Sequence, residues 1–147
     1  MSLRPPTHAR AFSLIELAMV CATIAILGAI AAPRFAAAQA NARASALKGN
    51  LSTFQRAVDR FMEEHLGRGP ASSAEGEIDA DERRFVSRLV RRSDDEGNPK
   101  KDGLWGPYLR DLPTNPLARC VHVRIDTKDT VEGCAWRFDP ETNTVYA

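Results

Sequence analysis

Residues 12–33 read FSLIELAMVCATIAILGAIAAP, and Glu16 is the only formally charged side chain in this run of 22 residues. A helix of about 20 apolar residues crosses the hydrocarbon core of a bilayer, so the run predicts one membrane-spanning helix. A carboxylate within such a helix costs roughly 2.5 to 3.5 kcal/mol on insertion scales. Because the run holds no basic side chain, we expect Glu16 to need a partner from outside it.

The sequence around this run is that of an export signal. Residues 1–11 contain two arginines, and a short basic segment ahead of an apolar one directs the N-terminus to the cytoplasm. An ordinary signal peptide is the main alternative, since residues 38–40 (AQA) offer a cleavage site that would release a soluble protein. Two features disfavour it: Glu16 lies inside the apolar run, and the cleavage site lies well beyond Pro33.

The composition of the whole chain excludes several classes of protein. Its 147 residues carry 20 basic and 19 acidic side chains, and a net charge of +1 creates no field that would recruit nucleic acid. Three cysteines are too few for a disulfide scaffold and lack the paired spacing of a zinc site. The single long apolar run excludes a polytopic membrane protein.

A second helical segment follows directly, over residues 34–66. Proline lacks a backbone donor, so we expect Pro33 to distort the helix locally rather than to end it. Apolar residues then recur at helical spacing on one face: Leu47, Leu51, Phe54, Val58, Phe61 and Leu66. We interpret this face as the part of the helix that packs on a C-terminal head, and Gly67 and Pro70 as the signals that end the helix.

The motif AFSLIEL at residues 11–17 resembles the processing site of type IV prepilins and type II secretion pseudopilins. The resemblance implies that a prepilin peptidase cleaves between Ala11 and Phe12 and that the new N-terminal Phe12 is methylated. The family normally has glycine before the cut, where this chain has Ala11. Glu16 becomes the fifth mature residue and Pro33 the twenty-second, where the family commonly has a helix-distorting proline.

The resemblance also supplies the missing partner of Glu16. In the family, the corresponding carboxylate is thought to pair with the N-terminal amine of a neighbouring subunit as the filament assembles. The implied organisation is a leader peptide at residues 1–11, a transmembrane and filament-core helix at 12–33, an amphipathic helix at 34–66 and a globular head at 67–147.

A second resemblance lies nearer the C-terminus, where residues 103–116 read GLWGPYLRDLPTNP. Glycines and prolines around Trp105 and Tyr108 predict an ordered loop that is pinned by its aromatic side chains. The segment resembles the GPYL…LP…NP loop of the major (G-type) pseudopilin of type II secretion. The family often continues with Trp-Gly and this chain continues with Leu117 and Ala118, so a related or minor pseudopilin is the alternative.

The remainder of the head predicts one short helix and three strands. Residues 82–92 place apolar side chains on one face of a helix, and we interpret its arginines as solvated. Alternating apolar residues predict strands around Val123, Trp136 and Val145 that are joined by polar turns. We therefore expect an α+β fold in which the long N-terminal helix packs on a small antiparallel sheet, as in pilin-like heads.

Two candidate sites lie near the predicted hairpin of the head. Cys120 and Cys134 lie at the starts of adjacent predicted strands, so export would allow a disulfide bond between them, with two free cysteines as the alternative. Major pseudopilins can hold calcium in a late loop. In this chain Asp126, Asp129 and Glu132 are the candidate calcium ligands, as a minor alternative. Because the sequence lacks calcium-loop spacing, we expect no cofactor and no metal.

The sequence contains no catalytic constellation. Its three histidines lack companions for nucleophilic or acid–base chemistry, and it has no phosphate-binding glycine loop. We expect a non-enzymatic pseudopilus subunit of type II secretion, single-pass in the inner membrane with its head in the periplasm. Its expected partners are further copies, other pseudopilins, the prepilin peptidase and the inner-membrane assembly platform, and we expect no nucleic acid. A type IV pilus subunit for adhesion, motility or DNA uptake is the alternative.

Overall fold

The computed structural model describes residues 12–73, 75–118, 121–126 and 136–147. It contains two helices and three strands: α1 (Leu14–Glu64), α2 (Glu82–Val90), β1 (Val123–Ile125), β2 (Trp136–Asp139) and β3 (Thr144–Tyr146). An α+β architecture with a long N-terminal helix and a small sheet is thereby confirmed. The chain divides into two compact units, Met1–Ala40 and Asn41–Ala147, and we call the second unit the head.

The described part of the first unit is almost entirely helical. Helix α1 begins directly after Ser13, and Pro33 lies inside it rather than at an end. Proline removes one backbone hydrogen bond from a helix, but apolar and alanine-rich sequence on both sides keeps the helical conformation favourable. The expectation that Pro33 does not end the helix is therefore confirmed.

The C-terminal part of α1 supplies the apolar face around which the head is built. Phe54, Val58 and Phe61 are fully buried, as their helical spacing predicts. Leu47 and Leu51 are partly buried and pack against the same core. This burial is the source of most of the stability that the helix gains in the head.

Helix α1 ends at Glu64, two residues earlier than the apolar spacing suggests. The amide of Gly67 donates to the carbonyl oxygen of Met62 over 2.8 Å and closes the last turn. Leu66 adopts a left-handed backbone conformation, with φ of 58°, and is 90% exposed. Because the helix has already ended, Leu66 does not lie on the buried face.

Helix α2 is capped at its start and buried on one side. The Asp81 carboxylate accepts hydrogen bonds from the amides of Arg83 (2.8 Å) and Arg84 (3.1 Å), and Phe85 and Leu89 are buried in the core. The predicted apolar face of this helix is thereby confirmed.

One arginine of α2 is not solvated, contrary to the sequence-based expectation. Arg88 is buried, donates to the carbonyl oxygen of Pro70 over 2.9 Å and lies 3.6 Å from the Asp79 carboxylate. Burial lowers its pKa, and the Asp79 charge only partly offsets this effect. Arg88 therefore ties α2 to the preceding loop inside the head.

The sheet is mixed, and the prediction of an all-antiparallel sheet is wrong. Its strand order is β1-β2-β3, with β2 antiparallel to β3 but β1 parallel to β2. In the parallel pair Val123 is opposite Trp136 and Ile125 is opposite Phe138. Alternating apolar residues show which side chains face the core, but they do not show the direction of a neighbouring strand.

Helical side chains occupy the outer edges of this sheet. Gln55 of α1 accepts from the amide of Val145 over 2.8 Å and donates to the carbonyl oxygen of Asn143 over 3.0 Å. At the other edge, Glu82 of α2 accepts from the amide of Val123 over 3.0 Å. These contacts satisfy backbone groups that an exposed edge strand would otherwise offer to another chain.

Candidate functional site

The first candidate site is the apolar segment, residues 12–32, at the start of α1. Its large side chains have no partner within the described chain: Phe12 is 80% exposed, Leu14 85% and Leu27 67%. By length and composition, this part of α1 is long and apolar enough to span a membrane, and none of its most apolar stretch of 18 residues is buried. An apolar surface of this size needs a membrane or other protein chains to cover it.

One of the two hydrogen bonds of a capping box lies at the start of this segment. The carboxylate of Glu16 accepts a hydrogen bond from the backbone amide of Ser13 over 2.9 Å, in the first turn of α1. The positive end of the helix dipole also favours a carboxylate at this position. Sequence reasoning missed this partner, although the spacing Ser-x-x-Glu is the known signature of a capping box. Glu16 therefore has a hydrogen-bond partner at the start of its own helix.

The other residues of the predicted processing site are placed only in part. Phe12 directly precedes Ser13 and is highly exposed, whereas Ala11 lies outside the described residues. The predicted cleavage site therefore adjoins the start of α1. Cys21, in the middle of the apolar segment, is exposed and free.

The two alternative sites in the head fall mostly outside the described residues. Cys120, Cys134, Asp129 and Glu132 all lie outside the described residues. The predicted disulfide bond between Cys120 and Cys134 therefore stays a prediction. Asp126 is described, and its carboxylate accepts from the Arg124 guanidinium over 2.8 Å. Within the described ranges, no group of three or more His, Cys, Asp or Glu side chains is placed to hold a metal ion.

The second resembling segment, residues 103–116, forms an ordered loop that we call the Gly/Pro loop. The Tyr108 hydroxyl donates to the Glu64 carboxylate over 2.6 Å, and the Trp105 indole donates to Asp95 over 2.8 Å. The backbone amide of Leu109 donates to Leu89 of α2 over 3.0 Å. The prediction of a loop that is pinned by aromatics is confirmed.

Two pKa shifts accompany the contact between Tyr108 and Glu64. Burial raises the pKa of the Tyr108 hydroxyl, and the neighbouring Glu64 charge raises it further. Burial alone would raise the pKa of Glu64, but hydrogen bonds from Tyr108 and Arg60 outweigh burial and lower it. The pair is thus held with the tyrosine protonated and the glutamate ionised.

A buried histidine lies beneath the Gly/Pro loop, and sequence reasoning gave it no role. His65 stacks on Phe61 with ring centroids 4.1 Å apart, and its Nε2 atom lies 3.2 Å from the Ser93 hydroxyl and 3.0 Å from the Asp94 carbonyl oxygen. A histidine and a serine at this distance are a geometry that nucleophilic catalysis also uses. However, His65 is 1% exposed and Ser93 is fully buried, so no substrate reaches them. The pair instead ties the segment after α2 to the end of α1.

No family model, curated protein or solved structure matches the chain.

Proposed function

We propose that this chain is a structural, non-enzymatic subunit of a pseudopilus that assembles through its N-terminal helix and drives protein export by type II secretion. The observation that carries the proposal is the exposed apolar segment, whose single carboxylate, Glu16, lies within the AFSLIEL motif and in the first turn of the helix. The subunit is anchored in the inner membrane by α1, and its head lies in the periplasm.

The chemistry of the N-terminus supports assembly rather than catalysis. Cleavage between Ala11 and Phe12 creates a cationic amine at Phe12, one residue before Ser13. The Glu16 carboxylate already accepts a hydrogen bond from the backbone amide of Ser13. In a filament of packed apolar helices, the amine of a neighbouring copy gives Glu16 a charged partner in water-poor surroundings. Removing one partner from a buried ion pair typically costs about 3 to 5 kcal/mol, so this contact favours one register between subunits.

The processing step is tested by sequencing the mature N-terminus after co-expression with a prepilin peptidase. We expect the chain to start at Phe12 and to carry one added methyl group. A variant with Ala11→Gly serves as the control and is expected to be cleaved at the same bond at least as fast. A start near Asn41 contradicts the proposal, because it is the product expected of an ordinary signal peptidase.

The assembly role of Glu16 is tested with Glu16→Ala and Glu16→Gln in cells that express the complete assembly machinery. Both variants lack the charge, whereas Glu16→Gln retains an oxygen that accepts from Ser13, so equal loss of filaments in the two assigns the effect to the charge. Cys21→Ala in the same segment is the matched control and is expected to assemble normally. Filaments at the wild-type level with Glu16→Ala contradict the pairing role.

The type of filament is tested separately by deletion of the gene. Accumulation of export substrates in the periplasm supports type II secretion. Normal export together with loss of adhesion, twitching or DNA uptake supports the alternative of a type IV pilus subunit.

A further inference from the structure

An acidic loop, residues 75–78, protrudes from the head ahead of α2. The carboxylates of Glu75 and Glu77 form no ion pair with any described residue, and Ile78 is 57% exposed between these acids and Asp79. The loop is already ordered, because Ser73 donates its amide to the Glu77 carbonyl oxygen over 2.7 Å and accepts from the Gly76 amide over 3.0 Å. It therefore presents two negative charges and one apolar side chain on a backbone that has little entropy left to lose.

A basic groove of about 490 Å³ lies at the other end of α2. It is lined by four cationic side chains and three apolar residues: Arg91, Arg92, Lys100, Lys101, Val90, Pro99 and Pro107. In the part of the chain that the structure describes, no carboxylate lines this groove or forms an ion pair with its four cations. Lys100 also borders a small acidic pocket with Asp94 and Asp102, so the uncompensated charge comes chiefly from the other three cations.

The backbone around the basic groove is rigidly held. The Lys100 amide donates to the Arg92 carbonyl oxygen over 2.8 Å, and Ser93 exchanges two backbone hydrogen bonds with Trp105, of 3.0 and 3.2 Å. A side chain at Gly103 would overlap the backbone of Ser93, so only glycine permits this close approach. The backbone that carries the groove is therefore preformed.

These two surfaces are complementary in charge and in apolar character, but they do not meet within one chain. The acidic loop precedes the N-terminus of α2 and the basic groove follows its C-terminus, and a helix of nine residues is about 13 Å long. We propose that the acidic loop of one copy docks in the basic groove of the next copy, with Ile78 on the apolar floor and Glu75 and Glu77 among the cations.

Such a contact has a consequence for symmetry. It joins two different surfaces, so a bound pair still offers a free groove on one copy and a free loop on the other, and the contact repeats along an open assembly. The inference rests on the proposed function, because a filament is the setting that brings copies into this repeated arrangement. It names the contact by which neighbouring heads recognise each other.

The contact is tested by disulfide cross-linking of two differently tagged full-length chains in membranes, both in a Cys21→Ser background. One chain carries Glu77→Cys and the other Lys101→Cys, and a mild oxidant is added. We expect a mixed dimer carrying both tags at a yield about fivefold above the control pair, in which Lys101→Cys is replaced by Glu63→Cys on the exposed face of α1. Chains that carry Cys21→Ser alone report any cross-linking through the remaining native cysteines, Cys120 and Cys134.

Charge reversal at positions beside the cross-link separates a specific contact from chance collision. Glu75→Lys in the first chain, or Arg92→Glu in the second, is expected to lower the yield about fivefold, and the two together are expected to restore it. The fluorescence of Trp105 and Trp136 reports whether each variant head is folded. Yields no higher than the control pair, or no rescue by the double reversal, overturn the proposal and leave the groove to another anionic partner such as a lipid headgroup.

Failure of this contact is distinguishable from failure of the proposed function. Cleavage before Phe12 and the Glu16→Ala filament test involve neither surface. Normal processing and filaments together with control-level cross-linking contradict the head contact alone. Specific cross-linking in a chain that is not cleaved before Phe12 contradicts the pseudopilus proposal and leaves a head-to-head contact between membrane-anchored copies.

Discussion

Tyr108 and Glu64 form one of the side-chain hydrogen bonds that link the Gly/Pro loop to α1. The hydroxyl and the carboxylate are 2.6 Å apart, and Arg60 donates to the other carboxylate oxygen over 3.1 Å. Because the pKa of Tyr108 is raised and that of Glu64 is lowered, the contribution of the pair to folding stability depends on pH at both ends of the scale.

Substitution of Tyr108→Phe is expected to lower the free energy of unfolding by about 1.5 to 3 kcal/mol at neutral pH, the usual size for a lost hydrogen bond to a charged group. The lowered pKa of Glu64 stabilises the fold above its ordinary value of 4.5, and this stability is lost as pH falls through the folded-state pKa. The raised pKa of Tyr108 adds stability that is present below its ordinary value of 10.0 and is lost as pH rises beyond it.

The measurement is denaturant unfolding followed by tryptophan fluorescence between about pH 3 and about pH 11. The variant is expected to lose the alkaline decline that belongs to Tyr108 and to show a shallower acid decline. Tyr146→Phe is the matched control, because Tyr146 is an exposed tyrosine at the other end of the head sequence. Stability curves of Tyr108→Phe and wild type that run parallel over the whole range contradict the assignment.

At the scale of secondary-structure elements, the sheet depends on side chains that helices place at its edges. Gln55 is the clearest case, because its side-chain amide bonds both the backbone amide of Val145 in the edge strand β3 and the carbonyl oxygen of Asn143, the residue just before that strand. Substitution by alanine leaves these backbone groups without that partner.

Gln55→Ala is therefore expected to lower the free energy of unfolding of the head by about 1 to 3 kcal/mol and to raise its tendency to aggregate through β3. Unfolding followed by tryptophan fluorescence measures the first effect and light scattering measures the second. Arg56→Ala is the neighbouring control, since the Arg56 side chain bonds only Ser52 of its own helix among the described residues. An equal effect of the two substitutions refutes the special role of Gln55.

The elements themselves follow from the sequence to different degrees. The spacing of Phe54, Val58 and Phe61 matches the 3.6 residues of a helical turn, and it predicts the buried face of α1 because each turn returns a side chain to the same side. Alternation predicts β3, but no local pattern gives the direction in which β1 pairs with β2. That direction depends on where the whole connection leads, which is a property of tertiary structure.

The polar interior of the head was harder to predict than its apolar core. His65 meets its partner Ser93 across 28 residues of sequence, and Arg88 meets Pro70 across 18, so no short motif reveals either contact. The cap formed by Ser13 and Glu16 is different, because three residues separate the partners and the spacing alone suffices to find it.

At the scale of the whole molecule, the buried core and the apolar segment belong to different units. All of the buried apolar side chains of the described chain lie between Phe54 and Val145, within Asn41–Ala147. The two tryptophans also lie there, so their fluorescence reports only on the head.

A chain that begins at Asn41 is therefore expected to be monodisperse without detergent and to keep the tryptophan emission maximum of the full-length protein. Full-length protein is expected to stay with membranes after alkaline carbonate extraction, since its apolar segment retains the length of a bilayer span. Size-exclusion chromatography and fluorescence measure the first expectation, and fractionation measures the second. An aggregated truncated chain with red-shifted emission shows that the head needs the removed residues in order to fold.

The bond between Ser13 and Glu16 also bears on the entropy of assembly. A glutamate side chain that becomes fixed loses up to roughly 2 kcal/mol of rotamer freedom, and a flexible carboxylate in the apolar segment would lose it when a neighbouring amine binds. In this chain the helix cap restricts the Glu16 rotamers through one oxygen, Oε2, when the first turn of α1 forms. The ordering cost thus falls on helix formation within the chain, and in the filament that we propose each pairing with a neighbouring amine would start from a carboxylate that already points in a fixed direction.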